Sequence, residues 1–227
     1  MRKFAVIGLG RFGRKLAVSL AANEAEVIAI DQNRDIVEQI SDEVAQAVRL
    51  DSTDENALRS QGVHKVDVAI VGIGQSGRGF ESSILTVVNL KAMGVPVVYA
   101  RAETLIQGQV LEKIGATEVI YPEIESAQRW AGKLITPQIL DKIDLSPGYS
   151  LASIISPPSF HERTVLDLQL RHNYGVNLVS IKRGENVEDE TLKGEIVNVP
   201  LPDTVIYKGD TLMITGSDES LAKLPTK

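Results

Sequence analysis

Short apolar runs recur at a regular beat through the first half of the chain, and the stretches between them carry the three-to-four residue period of amphipathic helices. The runs are Lys3–Ile7, Glu26–Ile30, Gln46–Leu50, Val66–Val71, Val95–Tyr99 and Glu118–Tyr121. They are apolar throughout and do not alternate, as strands do when both faces of a parallel sheet are covered. The spacing between them suits right-handed crossovers through helices. Helix starts are marked by Asn33 to Asp35 and by Ser52-Thr-Asp-Glu55, and helix ends by Gly62, Gly94 and Gly115. The pattern predicts an α/β domain, a doubly wound, Rossmann-like parallel sheet made of two mononucleotide-binding halves.

After Tyr121-Pro122 a helical stretch is predicted from Ile124 to about Leu140, with Trp130, Leu134 and Ile135 on one side and Pro137 kinking or ending it. Beyond Asp144-Leu-Ser-Pro-Gly148 the pattern changes. Short strands are expected at Tyr149–Ile155, Val176–Lys182 and Thr211–Thr215, with one helix from Thr164 to about His172. This reads as a smaller α+β domain, giving residues 1–143 as the N-terminal domain with its crossover helix and residues 144–227 as the C-terminal domain.

Composition narrows the function. A net charge of -6 and the lack of any Lys/Arg cluster exclude nucleic acid as a partner. With no cysteine there is no disulfide, thiolate catalysis or Cys-based metal site, and three scattered histidines offer little to a metal. No apolar run approaches the roughly 20 residues needed to span a bilayer, and the N-terminus runs directly into a strand, so a cytoplasmic protein is expected.

The candidate chemistry lies at the strand ends. The first strand leads into Gly8-Leu-Gly10-Arg11-Phe12-Gly13, a helix follows, and the next strand ends near Asp31. Gly8 permits the tight turn, Gly10 lets the backbone approach a pyrophosphate, and Gly13 lets the helix pack close to the sheet. The phosphates would meet the helix N-terminus, and Asp31 would accept hydrogen bonds from the ribose hydroxyls while disfavouring a 2′-phosphate. Arg11 has two readings, a guanidinium that pairs with an added terminal phosphate or a solvent-exposed arginine. Asp51 either accepts from an adenine amino group or caps the next helix. Gly72-Ile-Gly74-Gln75-Ser-Gly77-Arg78-Gly79 forms a second glycine-rich loop, Arg101 and Glu103 end the fifth strand, and Glu123 follows the sixth. The sequence carries no motif that supplies an acid, base or nucleophile set for catalysis, so the nucleotide is expected to be a regulator and the protein a non-enzyme.

Phe4 to Asp31, Asp51-Ser-Thr-Asp-Glu55, Val110-Leu-Glu-Lys-Ile-Gly-Ala116, Tyr121-Pro-Glu123 and Gly209-Asp-Thr-Leu212 together resemble the RCK (regulator of potassium conductance) regulatory subunits of Ktr- and Trk-type potassium uptake systems. The resemblance covers essentially the whole chain. It implies that ATP and ADP, with NAD(H) as a further ligand, compete for the crevice. It also implies a homo-octameric ring that docks on a membrane potassium transporter at the inner face of the cell membrane. By it Arg11 reaches the ATP terminal phosphate, Asp31 holds the ribose, Asp51 and Ser52 form the adenine side, and Arg101 stands where related chains carry lysine. Glu123 would hold a divalent cation, magnesium or calcium, between neighbouring subunits. The nucleotide contacts expected are Gly8, Gly10, Arg11, Phe12, Gly13, Asp31, Gln32, Asn33, Asp51, Ser52, Ile73, Gly74, Gln75, Arg101, Glu103 and Gln107. Some relatives bind cyclic di-AMP in the C-terminal domain, near the segment matching Arg171 to Asn177. The loop Gln75–Phe80 is longer and richer in glycine than the usual form, and Asp51 replaces a neutral amide. The alternatives are a small NAD-dependent oxidoreductase or NADH redox sensor, and an assembly scaffold with a vestigial crevice.

Overall fold

The computed structural model describes residues 2–74, 79–135, 139–184 and 193–225. Two compact units divide the chain, Met1–Ser126 and Ala127–Lys227.

The first unit alternates strand and helix: β1 (Lys3–Ile7), α1 (Arg11–Ala22), β2 (Glu26–Asp31), α2 (Arg34–Ile40), β3 (Gln46–Arg49), α3 (Glu55–Ser60), β4 (Val68–Val71), α4 (Gly79–Ala92), β5 (Val97–Arg101), α5 (Leu105–Lys113), β6 (Glu118–Ile120) and the start of α6 (Pro122–Ile135). All pairings are parallel and the strand order is β3-β2-β1-β4-β5-β6. The order reverses between β1 and β4, which places the crevice of a doubly wound sheet above their C-terminal ends. One core cluster, with Ile7, Leu58, Val71, Leu90 and Leu111, covers one face of the sheet, and another, with Val6, Leu9, Ala17, Val27 and Ile40, covers the other. This two-sided burial accounts for strands without alternation. Asn33 and Asp54 cap α2 and α3 by accepting from Asp35 N–H and Ala57 N–H. Gly62, Gly94 and Gly115 take positive φ, as their places past helix ends predict.

The second unit contains β7 (Ile139–Ser146), β8 (Tyr149–Ile155), β9 (Arg163–Thr164), α7 (Val165–Leu168), α8 (Leu170–Tyr174), β10 (Val176–Lys182), β11 (Ile196–Val197), β12 (Val205–Ile206), β13 (Thr211–Ser217) and α9 (Asp218–Ala222). Its main sheet has the order β11-β10-β13-β8-β7, antiparallel throughout, and β12 pairs with β9 separately. Phe160, Leu168, Ile181, Leu212 and Ile214 fill its core.

Three expectations change. Residues 127–143, assigned above to the N-terminal domain, fall in the second unit, and those from 139 to 143 pair with β8. The helix expected from Ile124 to Leu140 is Pro122–Ile135, and Leu140 lies in a strand; Pro137 lies outside the described residues. The helix expected from Thr164 to His172 is broken at Gln169, whose φ of 43° belongs to the left-handed region and separates α7 from α8.

Candidate nucleotide-binding crevice

The first glycine turn is built by two contacts that only glycine allows. Gly8 has φ 89°, and a Cβ there would lie 2.7 Å from the Ile73 nitrogen. A Cβ on Gly13 would overlap the Gly8 carbonyl oxygen. Both residues are therefore explained from within the protein, by the approach of α1 and of the β4 end to the turn. Gly10 is different. Its φ of -62° and ψ of -173° are open to any residue, and a Cβ there would meet nothing within 4 Å. No contact within the chain among the described residues requires glycine at Gly10. The same residue is the N-cap of α1 and offers no side-chain hydrogen bond to the helix. The first-turn N–H groups and the positive end of the helix dipole stay available to an anion.

Asp31 closes the opposite wall. Its Oδ2 accepts from Leu9 N–H at 2.7 Å and its Oδ1 from Asn33 N–H at 2.8 Å. Each oxygen keeps a lone pair for a ligand hydroxyl. The Gln32 carbonyl accepts from Arg49 Nε at 3.1 Å. Asp51 accepts from Thr53 N–H at 2.9 Å and the Thr53 hydroxyl at 2.7 Å, and these bonds hold its carboxyl below the usual carboxylate range. Asp54, not Asp51, caps α3, so the capping alternative for Asp51 falls to its neighbour. Ser52 is buried and shares a 2.7 Å hydrogen bond with Thr86 of α4. Asn89 of α4 donates to Thr53 O at 2.9 Å, so α4 fixes the loop after β3.

These elements enclose a crevice of about 260 Å³ at the C-terminal ends of β1 to β4, which brings together Gly8, Asp31, Gln32, Ser52 and Ile73. Arg11 is exposed, and its side chain makes no hydrogen bond or ion pair among the described residues. Phe12 is half-buried in the first turn of α1. Gly74, like Gly10, has open space where a Cβ would stand. Gln75 lies outside the described residues.

The crevice also uses Leu50, Gly79 and Ser82, which the sequence reading did not single out as contacts. For Gly79 a signal existed. It follows Gly74 by five residues, as Gly13 follows Gly8, and a Cβ on Gly79 would overlap the Gly74 carbonyl oxygen. The second half of the sheet thus repeats the packing device of the first.

Arg101, Glu103, Gln107 and Glu123 form a separate group at the ends of β5 and β6. Gln107 is engaged in a capping box: its side-chain oxygen accepts from the N–H groups of Glu103 and Thr104, both at 3.1 Å, while Thr104 caps α5. Arg101 Nη2 donates to Glu123 Oε1 at 2.7 Å and to Glu103 Oε1 at 3.4 Å. The divalent cation implied at Glu123 fits this arrangement poorly, because Oε1 of the carboxylate already accepts from a guanidinium that keeps its positive charge. Among the described residues no cluster of three or more acidic, histidine or cysteine side chains stands ready for a metal.

In the second unit, Gly175 has φ 68° and serves as the C-cap of α8. That role accounts for the glycine of the Arg171–Asn177 segment from within the fold, so cyclic di-AMP there stands on the resemblance alone. No helix among the described residues is long and apolar enough to cross a membrane.

The TrkA-N domain family matches residues 4–122 and the TrkA-C domain family residues 151–225. The chain is 36% identical to the Ktr system potassium uptake protein C of Bacillus subtilis, over 98% of this chain and 95% of that protein. It is 32% identical to the Ktr system potassium uptake protein A of the same organism, over the same shares. Among solved structures it resembles the GsuK RCK domain, with a TM-score of 0.54 at 23% identity over 97% of this chain and 45% of that one. It also resembles the GsuK channel bound to NAD, with a TM-score of 0.53 at 21% identity over 97% and 37%. At those identities the likeness establishes the fold, the Rossmann-like RCK architecture. The two matched domains and the likeness to both Ktr proteins agree with the crevice geometry: the chain belongs to the TrkA-N/TrkA-C family of potassium-uptake regulatory proteins.

Proposed function

We propose that this chain is the nucleotide-sensing subunit of a membrane potassium transporter, in which ATP and ADP exchange in the β1–β4 crevice and shift the conformation of a ring of eight chains docked on the transporter. The observation that carries the nucleotide is the bare, uncapped start of α1 at Gly10, set opposite Asp31. A phosphate chain on the α1 N-terminus and a ribose on Asp31 use both features at once. The similar GsuK channel is bound to NAD, which supports NAD(H) as a further occupant of the crevice.

A ligand shifts a conformational equilibrium only by its differential affinity for the two states. ATP and ADP differ by one phosphate, so the discriminating group must reach beyond the second phosphate. Arg11 follows Gly10 directly, is exposed, and its side chain has no partner among the described residues to give up. It therefore pairs with the terminal phosphate of ATP and is left without that contact by ADP. No divalent cation enters this reading, since Arg101 occupies Glu123. Reduction of a carbonyl substrate is not favoured by the lining, among whose described residues Asp31 is the one titratable side chain.

The test is isothermal calorimetry of the purified chain with ATP, ADP, NADH and GTP. Binding of the adenine nucleotides and rejection of GTP support the reading. Absence of any adenine-nucleotide binding would overturn it in favour of a scaffold with an idle crevice, and NADH binding with turnover of a carbonyl substrate would favour an oxidoreductase.

A further inference from the structure

Arg101 is the last residue of β5 and is registered against Ile120, the last residue of β6. From Ile120 the chain enters α6, where Glu123 sits in the first turn. The parallel pairing of β5 and β6 therefore brings together a cation and a carboxylate that are 22 residues apart in sequence. Glu103, two residues beyond the strand, adds a second carboxylate. The Arg101 side chain is 15% exposed, against 63% for Glu123 and 45% for Glu103. The guanidinium is sunk beneath two carboxylates that reach solvent, which is where a bound metal ion would sit relative to its ligands.

The neighbourhood is fixed from several sides. Glu125 Oε1 accepts from Tyr121 N–H at 3.1 Å, pinning the first turn of α6. A Cβ on Gly108 would overlap the Tyr121 hydroxyl, so α5 and the β6 end touch at closest approach. The capping box of Thr104 and Gln107 holds the backbone of Glu103. Arg101 thus clamps an already ordered block rather than joining two mobile tails.

Calcium takes about six to eight oxygen ligands and magnesium a near-octahedral set. The two carboxylates of one chain, with a guanidinium between them, supply neither on their own. Arginine does not shed its charge in proteins, so a divalent ion would have to sit beside a permanent positive charge or expel it. We propose that Arg101 takes the place of a divalent cation in this chain, bridging Glu103 and Glu123 from inside and making this corner of the N-terminal unit independent of magnesium and calcium. The proposal does not depend on which nucleotide fills the crevice, and the contribution of Arg11 to ATP recognition is read by a different experiment.

The test is thermal unfolding of the full chain, with and without ATP, in calcium, in magnesium and in EDTA, on the native protein and on Glu123→Gln, Arg101→Gln and the double variant. The native protein and Glu123→Gln are expected to show the same cation shift, so that nothing in it depends on Glu123. Arg101→Gln frees two carboxylates and is expected to gain a calcium-dependent rise in Tm of a few degrees, lost again in the double variant. Arg101→Met serves where the glutamine variant folds poorly. Equilibrium dialysis of calcium against the native protein and Glu123→Gln gives an independent reading that needs no Arg101 variant. A calcium ion held by the native protein and lost in Glu123→Gln overturns the proposal. So does a folded Arg101→Gln or Arg101→Met variant that gains no calcium response.

Discussion

The carboxylate of Asp31, at the end of β2, accepts a 2.7 Å hydrogen bond from the N–H of Leu9 inside the first glycine turn. One side chain therefore ties the end of β2 to the first glycine turn, the two walls to which the proposed nucleotide's ribose and phosphates are assigned. Asp31→Ala removes a charged acceptor from both a ligand hydroxyl and Leu9 N–H. Adenine-nucleotide affinity should fall about 10–100-fold, the size expected for one or two charge-assisted hydrogen bonds. Calorimetry with ADP checks this, and native affinity in a folded Asp31→Ala protein would contradict the assignment.

The three glycines of the turn should separate in their effects. Gly13→Ala drives a methyl group into the Gly8 carbonyl oxygen and should destabilise the chain by about 2–3 kcal/mol or more, as forced overpacking does. Gly10→Ala meets open space, so its stability should stay within about 0.5 kcal/mol of native while nucleotide affinity falls. Urea unfolding and calorimetry on the two variants would show the split.

Arg183 and Asp210 form the most buried ion pair described, at 2.7 Å with side-chain exposures of 7% and 0%. Asp210 also accepts from the N–H groups of Tyr207 and Gly184, and Arg183 donates to Val205 O and lies 5.1 Å from the centre of the Tyr207 ring. Arg183→Met leaves a buried carboxylate without its cation and should cost about 3–5 kcal/mol. Breaking the exposed Arg34–Glu38 pair, with exposures of 74% and 59%, should cost less than about 1 kcal/mol. Denaturant midpoints of Arg183→Met and Arg34→Ala compare the two directly.

Asp218 should contribute to the acid sensitivity of the second unit. The Ser150 hydroxyl at 2.7 Å and then the Lys142 ammonium at 3.0 Å hold its carboxyl below the ordinary value of 3.8. A carboxyl depressed in the folded state contributes stability that is present above the unfolded value and lost as pH falls through the folded one. Asp218→Asn should therefore flatten the stability profile below about pH 4. Melting curves recorded from neutral to acidic pH check the slope, and an unchanged slope would exclude the contribution.

Much of the first unit was legible because its strands are buried on both faces and punctuated by glycine and capping residues. The misplacements are physical. Val95 is buried and apolar, but its N–H bonds to Leu90 O as the chain leaves α4, so the strand begins at Val97 and runs on to Arg101. Strand β7 carried no readable alternation. Its pairing with β8 skips Leu140 and Leu145, so apolar positions fall out of step, and its outer edge has no partner strand among the described residues. The break at Gln169 leaves the apolar period intact and is set by backbone geometry alone. The Arg101–Glu123 clamp required knowing that β5 and β6 are neighbours, which no local pattern encodes.

The contact between Arg11 and the terminal phosphate is measured most directly by the ratio of ATP to ADP affinities in the native chain and in Arg11→Ala, by calorimetry under identical salt. Loss of one charge-assisted pair should cost ATP about tenfold or more and leave ADP nearly unchanged, so the two affinities converge. An unaltered ratio in the Arg11→Ala protein would contradict it.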